Sequence, residues 1–404
     1  MNILAITSTP PWPATHGAAI RNGLLLEALA SEHRVDLVTL DRPGAPPIPT
    51  PSCIGRVIQV RAARPKLWRR LRGGWRGGVP DLLIRHGSRI LRGRVQMLLS
   101  GGEYHAVHVA QAQLAPLIHD VWTATPGASG RPRVVYDAHN IEWLLQRMLA
   151  GASMGPRALW ARRQAGLLRR VEAWIAQTVD LAVASSPDDR TSLAALGAKA
   201  PAYIPHPVRA GKATPGTDSR TAHPRVLFAA NFAYRPNIMA AEWLFGRVWP
   251  DVARRIPSAE LRVVGPRSEG LHPIVPVGST LGGIVDDIDR EYERSWLAVS
   301  PTSVAAGAPY KVLSALAAGR PVVARAQGYV GLPARGEIGV ALPSGPEEFA
   351  EEVTTLATNP AAYAEAAEAG FAFVKSEHDA AIVGRRVLDA YAGLREPAEA
   401  GTAP

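Results

Sequence analysis

A glycine turn running into a helix between two buried strands constrains this chain more than any other stretch. Trp296-Leu-Ala-Val-Ser300 is an apolar run of strand length. Gly307 supplies a flexible turn, and Pro309 stands where a helix would begin, its missing N–H costing nothing there. Residues 310–318 are strong helix formers, stopped by Gly319 and by Pro321 just beyond. Val322-Val-Ala324 is the next strand. Strand, turn, helix and strand make a βαβ unit whose helix N-terminus offers N–H groups to an anion. Lys311 in the first turn opposes the helix dipole, a placement that makes sense against a phosphate. The alternative is an ordinary crossover with a solvated lysine.

The chain has 404 residues, enough for two or three domains with sizeable cores. No apolar run reaches the roughly 18 residues expected of a membrane span. Met1-Asn-Ile-Leu-Ala-Ile6 has no basic leader and runs into a proline-rich loop, so a strand is expected there and not a signal peptide. The single cysteine, Cys53, excludes an internal disulfide and a cysteine-built zinc cage, and a reducing cytoplasm is the expected compartment. The net charge of +10 calls for an acidic partner: lipid headgroups, nucleotide phosphates or nucleic acid.

Buried strands are expected at 2–7, 35–40, 57–60, 107–110, 134–136 and 181–184, and a helix at 18–30 with Ile20, Leu24, Leu25 and Leu29 on one side. Thr9-Pro-Pro-Trp-Pro-Ala-Thr-His-Gly17 is a rigid loop at the carboxyl end of the first strand, where doubly wound sheets bind ligands. Between 61 and 94, Arg61, Arg64, Lys66, Arg69, Arg70, Arg72, Arg76, Arg85, Arg89, Arg92 and Arg94 face one acid, Asp81, with Leu67, Trp68, Leu71 and Trp75 interleaved. Tryptophan and arginine mixed with leucine suit a segment lying on an anionic membrane. A solvated arginine-rich face is the alternative. No RNA- or DNA-reading motif accompanies these charges, so nucleic acid is not an expected partner.

The strand at 134–136 ends in Asp137-Ala-His-Asn-Ile-Glu-Trp143, which puts polar groups at the carboxyl edge of a sheet. Asp137 either orients His139 or caps the following helix. A helical stretch at 143–177 comes next. Residues 209–224, rich in Gly, Thr, Pro and Ser, read as an interdomain linker. The pattern then restarts: Val226-Leu-Phe-Ala-Ala230 as a strand, Asn231-Phe-Ala-Tyr-Arg-Pro-Asn237, a helix through Trp249, and Leu261-Arg-Val-Val-Gly265 as a further strand. Helices are expected at 346–375 and 379–394, before an Ala/Glu/Pro-rich tail expected to be disordered.

These stretches resemble retaining family 4 glycosyltransferases, in particular the subgroup with Asp-x-His-Asn and Tyr-Arg-Pro-Asn motifs. The likeness holds at Gly307, Lys311, Val312, Leu313, Ala315, Gly319, Pro321, Val322 and Val323, and in residues 137–142, 231–237 and 281–287. The family's two glutamates, eight residues apart, fall on Ala306 and Ser314; the second usually holds the nucleotide ribose. The resemblance implies an α/β chain of GT-B architecture, two Rossmann-like doubly wound parallel-sheet domains facing a cleft. An acceptor-side domain would cover 1–208, with a basic insertion at about 61–94, followed by a linker at 209–224. A nucleotide-sugar donor domain would cover 225–376, with a C-terminal helix at 377–394 returning to the first domain and a tail at 395–404.

The resemblance further implies transfer of a sugar from a nucleotide-sugar donor to a lipid-linked, polysaccharide or other glycan acceptor, with retention. No cofactor and no catalytic metal are expected beyond that co-substrate. His139, Lys311 and Arg235 would be catalytic, with Asp137 orienting. Gly17, with His16 beside it, Asn231, Gly265, Gly307 and Ser314 would bind the donor. The Arg/Trp segment would place the protein peripherally on the inner face of the plasma membrane. Two other readings remain: a binding or scaffold protein whose lost glutamates ended catalysis, and a nucleotide-sugar 2-epimerase, against which the Asp-Ala-His-Asn stretch weighs.

Overall fold

The computed structural model describes residues 1–63, 65–124, 131–210, 220–304, 309–333 and 338–394. Arg64, Ala306, Gly307, residues 211–219 of the expected linker and the tail after Leu394 therefore lie outside the described residues. The chain divides into two compact units, one of Met1–Pro207 with the segment from Ala381 onward, the other Val208–Ala380.

In the first unit, β1 (Asn2–Thr7), β2 (Arg34–Asp41), β3 (Val57–Arg61), β4 (Ala106–Ala110), β5 (Arg133–Ala138), β6 (Leu181–Ala184) and β7 (Ala202–Tyr203) form one sheet. Its order is β3-β2-β1-β4-β5-β6-β7 and every pairing is parallel. Alternation along β1 supplies both faces: Leu4 and Ile6 join Val38, Val107 and Val109 in one core, while Ile3 and Ala5 join Leu25, Leu26 and Leu37 in another. Burial on both faces explains why these strands read as continuous apolar runs. The second core also takes Val383, Val387 and Tyr391 of the helix Ala380–Ala392, which recur every four residues on one helical face.

The second unit holds β8 (Arg225–Ala229), β9 (Glu260–Val264), β10 (Ser279–Leu281), β11 (Leu297–Ser300), β12 (Val322–Ala324) and β13 (Val340–Ala341), all parallel, in the order β10-β9-β8-β11-β12-β13. Both sheets therefore reverse direction beside their first strand, between β1 and β4 and between β8 and β11. The carboxyl ends at such a reversal leave an open crevice.

Several helices differ from expectation. The stretch at 143–177 is two helices, Glu142–Gly151 and Gly155–Thr178, because Gly155 adopts φ +61° and Pro156 opens the second helix. The stretch at 346–375 divides at Asn359, whose side chain accepts from the N–H groups of Ala361 and Ala362 and so starts a new helix. The helix expected to stop at Trp249 continues to Arg255 through a wider π-helical stretch, Leu244–Val248. The basic segment forms three helices, Leu67–Trp75, Asp81–His86 and Arg89–Leu99. Asp81 pairs with Arg70 at 2.7 Å and Arg85 at 3.1 Å, and Arg92 pairs with Asp120, so three of the arginines serve the fold. Among the described residues no helix is long and apolar enough to cross a membrane.

Candidate functional site

The carboxyl edge of the first sheet is polar and tightly connected. Asp137, the penultimate residue of β5, is fully buried and receives Arg21 from the helix Gly17–Ala30. Arg21 Nη2 donates to Oδ1 at 2.6 Å and Nε to Oδ2 at 3.0 Å, while Nη1 donates to the carbonyls of Ile204 and Pro205, each at 3.0 Å. Burial alone would raise the Asp137 carboxyl, but the charges of Arg21 and His139 outweigh it and hold it well below the usual carboxylate range. His139 Nε2 lies 3.2 Å from Asp137 Oδ2, and the imidazole is 4% exposed. Burial keeps that imidazole below its ordinary value, against the pull of Asp137. Of the two roles open to Asp137, the side chain faces His139 and Arg21 and caps no helix.

Capping falls to Glu172 instead. Its carboxylate accepts from the N–H groups of Glu142 and Trp143, both at 2.8 Å, at the start of the helix Glu142–Gly151. Burial pushes Glu142 up to about 7 and Glu172 up to about 8, the neighbouring Glu142 charge adding to the second. His16 is the N-cap of the helix Gly17–Ala30, its Nδ1 accepting from Ala19 N–H at 3.3 Å. That bond needs an unprotonated Nδ1, and crowding by the surrounding chain followed by the His139 charge lowers His16 accordingly. Gly17 is the first residue of that helix.

Beside this group, at the reversal between β1 and β4, Ser8, Gln111 and Gln113 form a hydrogen-bonded triangle of 2.6–2.9 Å. Gln111 N–H donates to the Asp137 carbonyl at 2.9 Å, which ties the triangle to the end of β5. Neither this cluster nor Arg21 was visible in the sequence. Arg21 and its partner are 116 residues apart, and the only pointer was the need of a buried strand-end aspartate for a cation.

In the second unit the expected residues divide between loop-shaping positions and helix starts. Asn231 builds the turn after β8: its Oδ1 accepts from Ala233 N–H at 2.9 Å and its carbonyl from Asn237 Nδ2 at 2.8 Å. Gly265 has φ +124°, and a Cβ there would stand 2.0 Å from the Ala230 carbonyl oxygen. Only glycine lets the chain ends after β8 and β9 approach this closely. Arg235 is exposed at the first position of the helix Arg235–Trp243.

Lys311 is the second residue of the helix Tyr310–Ala317, which follows β11 at the reversal of the sheet. Among the described residues no side chain caps that helix, and its first turn holds no acid. Burial lowers Lys311 to about 8, and its Nζ lies 5.8 Å from the Phe228 ring centroid. Among the described residues no carboxylate compensates it. Ser314 stands one helical turn further on, partly exposed. Among the described residues no three His, Cys, Asp or Glu side chains converge as metal ligands. A cavity of about 400 Å³ lies among Arg220, Trp296, Asn359 and Tyr363. Arg220 and Trp296 precede β8 and β11, so this cavity sits at the amino edge of the sheet, away from Lys311.

Two parallel-sheet units of this topology define the GT-B fold, the architecture of many sugar-transferring enzymes. The chain is similar to sucrose-phosphate synthase from Thermosynechococcus elongatus, with TM-score 0.74 and 18% identity over 98% of this chain and 99% of that one. It is also similar to Anabaena HepE in complex with UDP and glucose, with TM-score 0.67 and 14% identity over 97% and 100% of the two chains. A third similar structure is WaaG, a glycosyltransferase involved in lipopolysaccharide biosynthesis, with TM-score 0.64 and 14% identity over 96% and 98%. Residues 223–359 match the family model described as Glycosyl transferases group 1. No curated protein sequence matches the chain.

Proposed function

We propose that this protein is a nucleotide-sugar glycosyltransferase. The observation that carries the reading is Lys311: a partly buried cation, with no compensating carboxylate among the described residues, in the first turn of the helix Tyr310–Ala317 and inside the segment that matches the group 1 glycosyltransferase model. Charge develops on the diphosphate as the glycosidic bond to the donor breaks, and a fixed cation with helix N–H groups stabilises it there. Arg235 is the second cation for the diphosphate, and Ser314 gives the ribose one neutral hydrogen bond in place of the family's glutamate. The Asn231 turn and Gly265 shape the loops that receive the nucleotide. His139, held by Asp137, serves the acceptor and transferred sugar. The reaction retains anomeric configuration and uses no metal, as the resemblance implies. Incubation with nucleotide sugars and a glycan acceptor should release nucleoside diphosphate, and His139→Ala should lower kcat while donor affinity stays near that of the parent. Donor binding without any turnover would make this a binding protein, and interconversion of the sugar without transfer would make it an epimerase.

The acceptor is lipid-linked, and the protein works on an anionic bilayer. Leu67, Trp68, Leu71 and Trp75 are 62, 57, 41 and 43% exposed. At 3.6 residues per turn they share an arc of about 100° on the helix Leu67–Trp75. The adjoining side of the helix is packed, with Gly74 against Trp160 and Arg70 on Asp81. Exposed Arg69, Arg72 and Arg76 continue the solvent-facing side of the helix beyond Trp68, each adding about 1 kcal/mol beside anionic lipid. The protein should bind phosphatidylglycerol-containing vesicles and leave them near about 1 M salt, where screening acts within ~3 Å. Replacing Trp68 and Leu71 together by glutamate should abolish binding without lowering Tm, because neither side chain is buried. Equal binding to purely zwitterionic vesicles contradicts the electrostatic part.

A further inference from the structure

Gln111 occupies a backbone conformation that only glycine adopts without strain. Its φ is 76° and its ψ 148°, in the region left to residues lacking a Cβ. A residue with a side chain persists there only when its surroundings hold it. Here its N–H donates to the Asp137 carbonyl at 2.9 Å, and its carbonyl accepts from Leu114 N–H at 3.2 Å. Strain of this kind gathers where a side chain must point in one direction.

The amide of Gln111 is oriented as firmly as its backbone. Oε1 accepts from Ser8 Oγ at 2.6 Å and from Gln113 Nε2 at 2.8 Å. Gln113 Nε2 also donates to Ser8 Oγ at 2.9 Å, which completes the triangle and leaves the buried Gln113 Oε1 without a partner among the described residues. Ser8 and Gln113 are 4% and 7% exposed, whereas Gln111 is only partly buried. With Oε1 saturated by two buried donors, the Nε2 group of Gln111 is left to present its two N–H bonds. The residues that fix it are neutral, which suits a hydroxyl oxygen rather than a phosphate. Ser8 follows β1, Gln111 follows β4 and His139 follows β5, adjacent strands ending at the same edge.

We propose that Gln111 is a hydroxyl-binding residue for the acceptor: its side-chain N–H groups donate to a sugar hydroxyl and set which position of the acceptor is presented. Ser8 and Gln113 are positioning residues that aim it. This rests on the transferase reading for the word acceptor, but the carbohydrate site itself can be tested apart from it.

Three variants separate function from strain. Gln111→Gly relaxes the backbone and removes the amide, Gln111→Ala removes the amide alone, and Gln111→Glu reverses the hydrogen-bond polarity. In the parent, saturation-transfer NMR with a panel of mono- and disaccharides should detect a bound sugar, and all three variants should lose it. With an active donor, acceptor KM should rise roughly tenfold in each, donor Kd staying within about twofold. Gln111→Gly should melt no lower than the parent, whereas loss of a merely structural amide would lower it. Unchanged sugar binding or acceptor KM in all three variants, a parent that binds no sugar, or a Gln111→Gly protein less stable than the parent overturns the proposal. A parent that binds sugars through Gln111 yet neither binds nor consumes nucleotide sugars overturns the transferase reading alone.

Discussion

Lys311→Ala should weaken nucleoside-diphosphate binding by roughly 10- to 150-fold in calorimetry. That is the loss of about 1.5–3 kcal/mol expected for a hydrogen bond between charged groups. Nothing among the described residues neutralises the ammonium, so its attraction is available to a ligand. Burial sets its pKa at about 8 in the ligand-free chain, below the ordinary lysine value of 10.5. Affinity should therefore hold below pH 8 and fall as pH rises above it, since the free site then loses its charge. A bound diphosphate favours the charged form, so binding near pH 8 takes up a proton and its heat varies with the ionisation enthalpy of the buffer. Stability moves in the opposite sense. A lysine whose folded pKa is depressed opposes folding at neutral pH, and this opposition fades as pH rises from about 8 toward 10.5. Lys311→Met should leave the ligand-free chain at least as stable as the parent. Unaltered nucleotide affinity in Lys311→Ala would remove Lys311 from the donor site.

Breaking the Arg21–Asp137 pair should have the largest effect on stability. Both side chains are 0% exposed, and removing either leaves a buried charge without its partner, a loss of about 3–5 kcal/mol. Asp137→Ala should also release His139, whose ring nitrogen rests 3.2 Å from the lost carboxylate. Hydrogen exchange in the strands of the first sheet is the suitable measure, because it reads that unit alone. Replacing both residues by apolar ones of similar volume should recover much of the loss. The folded-state pKa of Asp137 is depressed, so its contribution is complete above the unfolded value of about 3.8 and disappears as pH falls through the folded one. A loss below about 1 kcal/mol in Asp137→Ala would mean the pair is not the anchor described.

The sheets were readable because parallel strands buried on two faces are runs of Val, Ile, Leu and Ala, and those runs stand out in one dimension. Helix breaks at Gly155-Pro156 and Asn359-Pro360 carried local signals that long helical composition masked. The site was less legible, for a physical reason. Its polar groups meet across strand ends that are distant in sequence, as Arg21, Asp137 and Ile204 do. Gln111 sits in an unremarkable Ala-Gln-Ala-Gln-Leu run, and nothing in it announces a left-handed backbone. The arginine segment shows the same limit. Its charge was plain, but which arginines are spent on Asp81 and Asp120 depends on three-dimensional packing.

The central claim, that the second unit holds a nucleotide-sugar donor through Lys311, is tested most directly by melting curves of the full chain with UDP-, GDP- and ADP-sugars. At a ligand concentration of about 100 times Kd, binding stabilises by about 2.7 kcal/mol, a shift of a few degrees. The account predicts that sugars of one base raise Tm and release nucleoside diphosphate when acceptor is added, and that Lys311→Ala abolishes the shift. No shift and no release with any of the three at about 1 mM would contradict it.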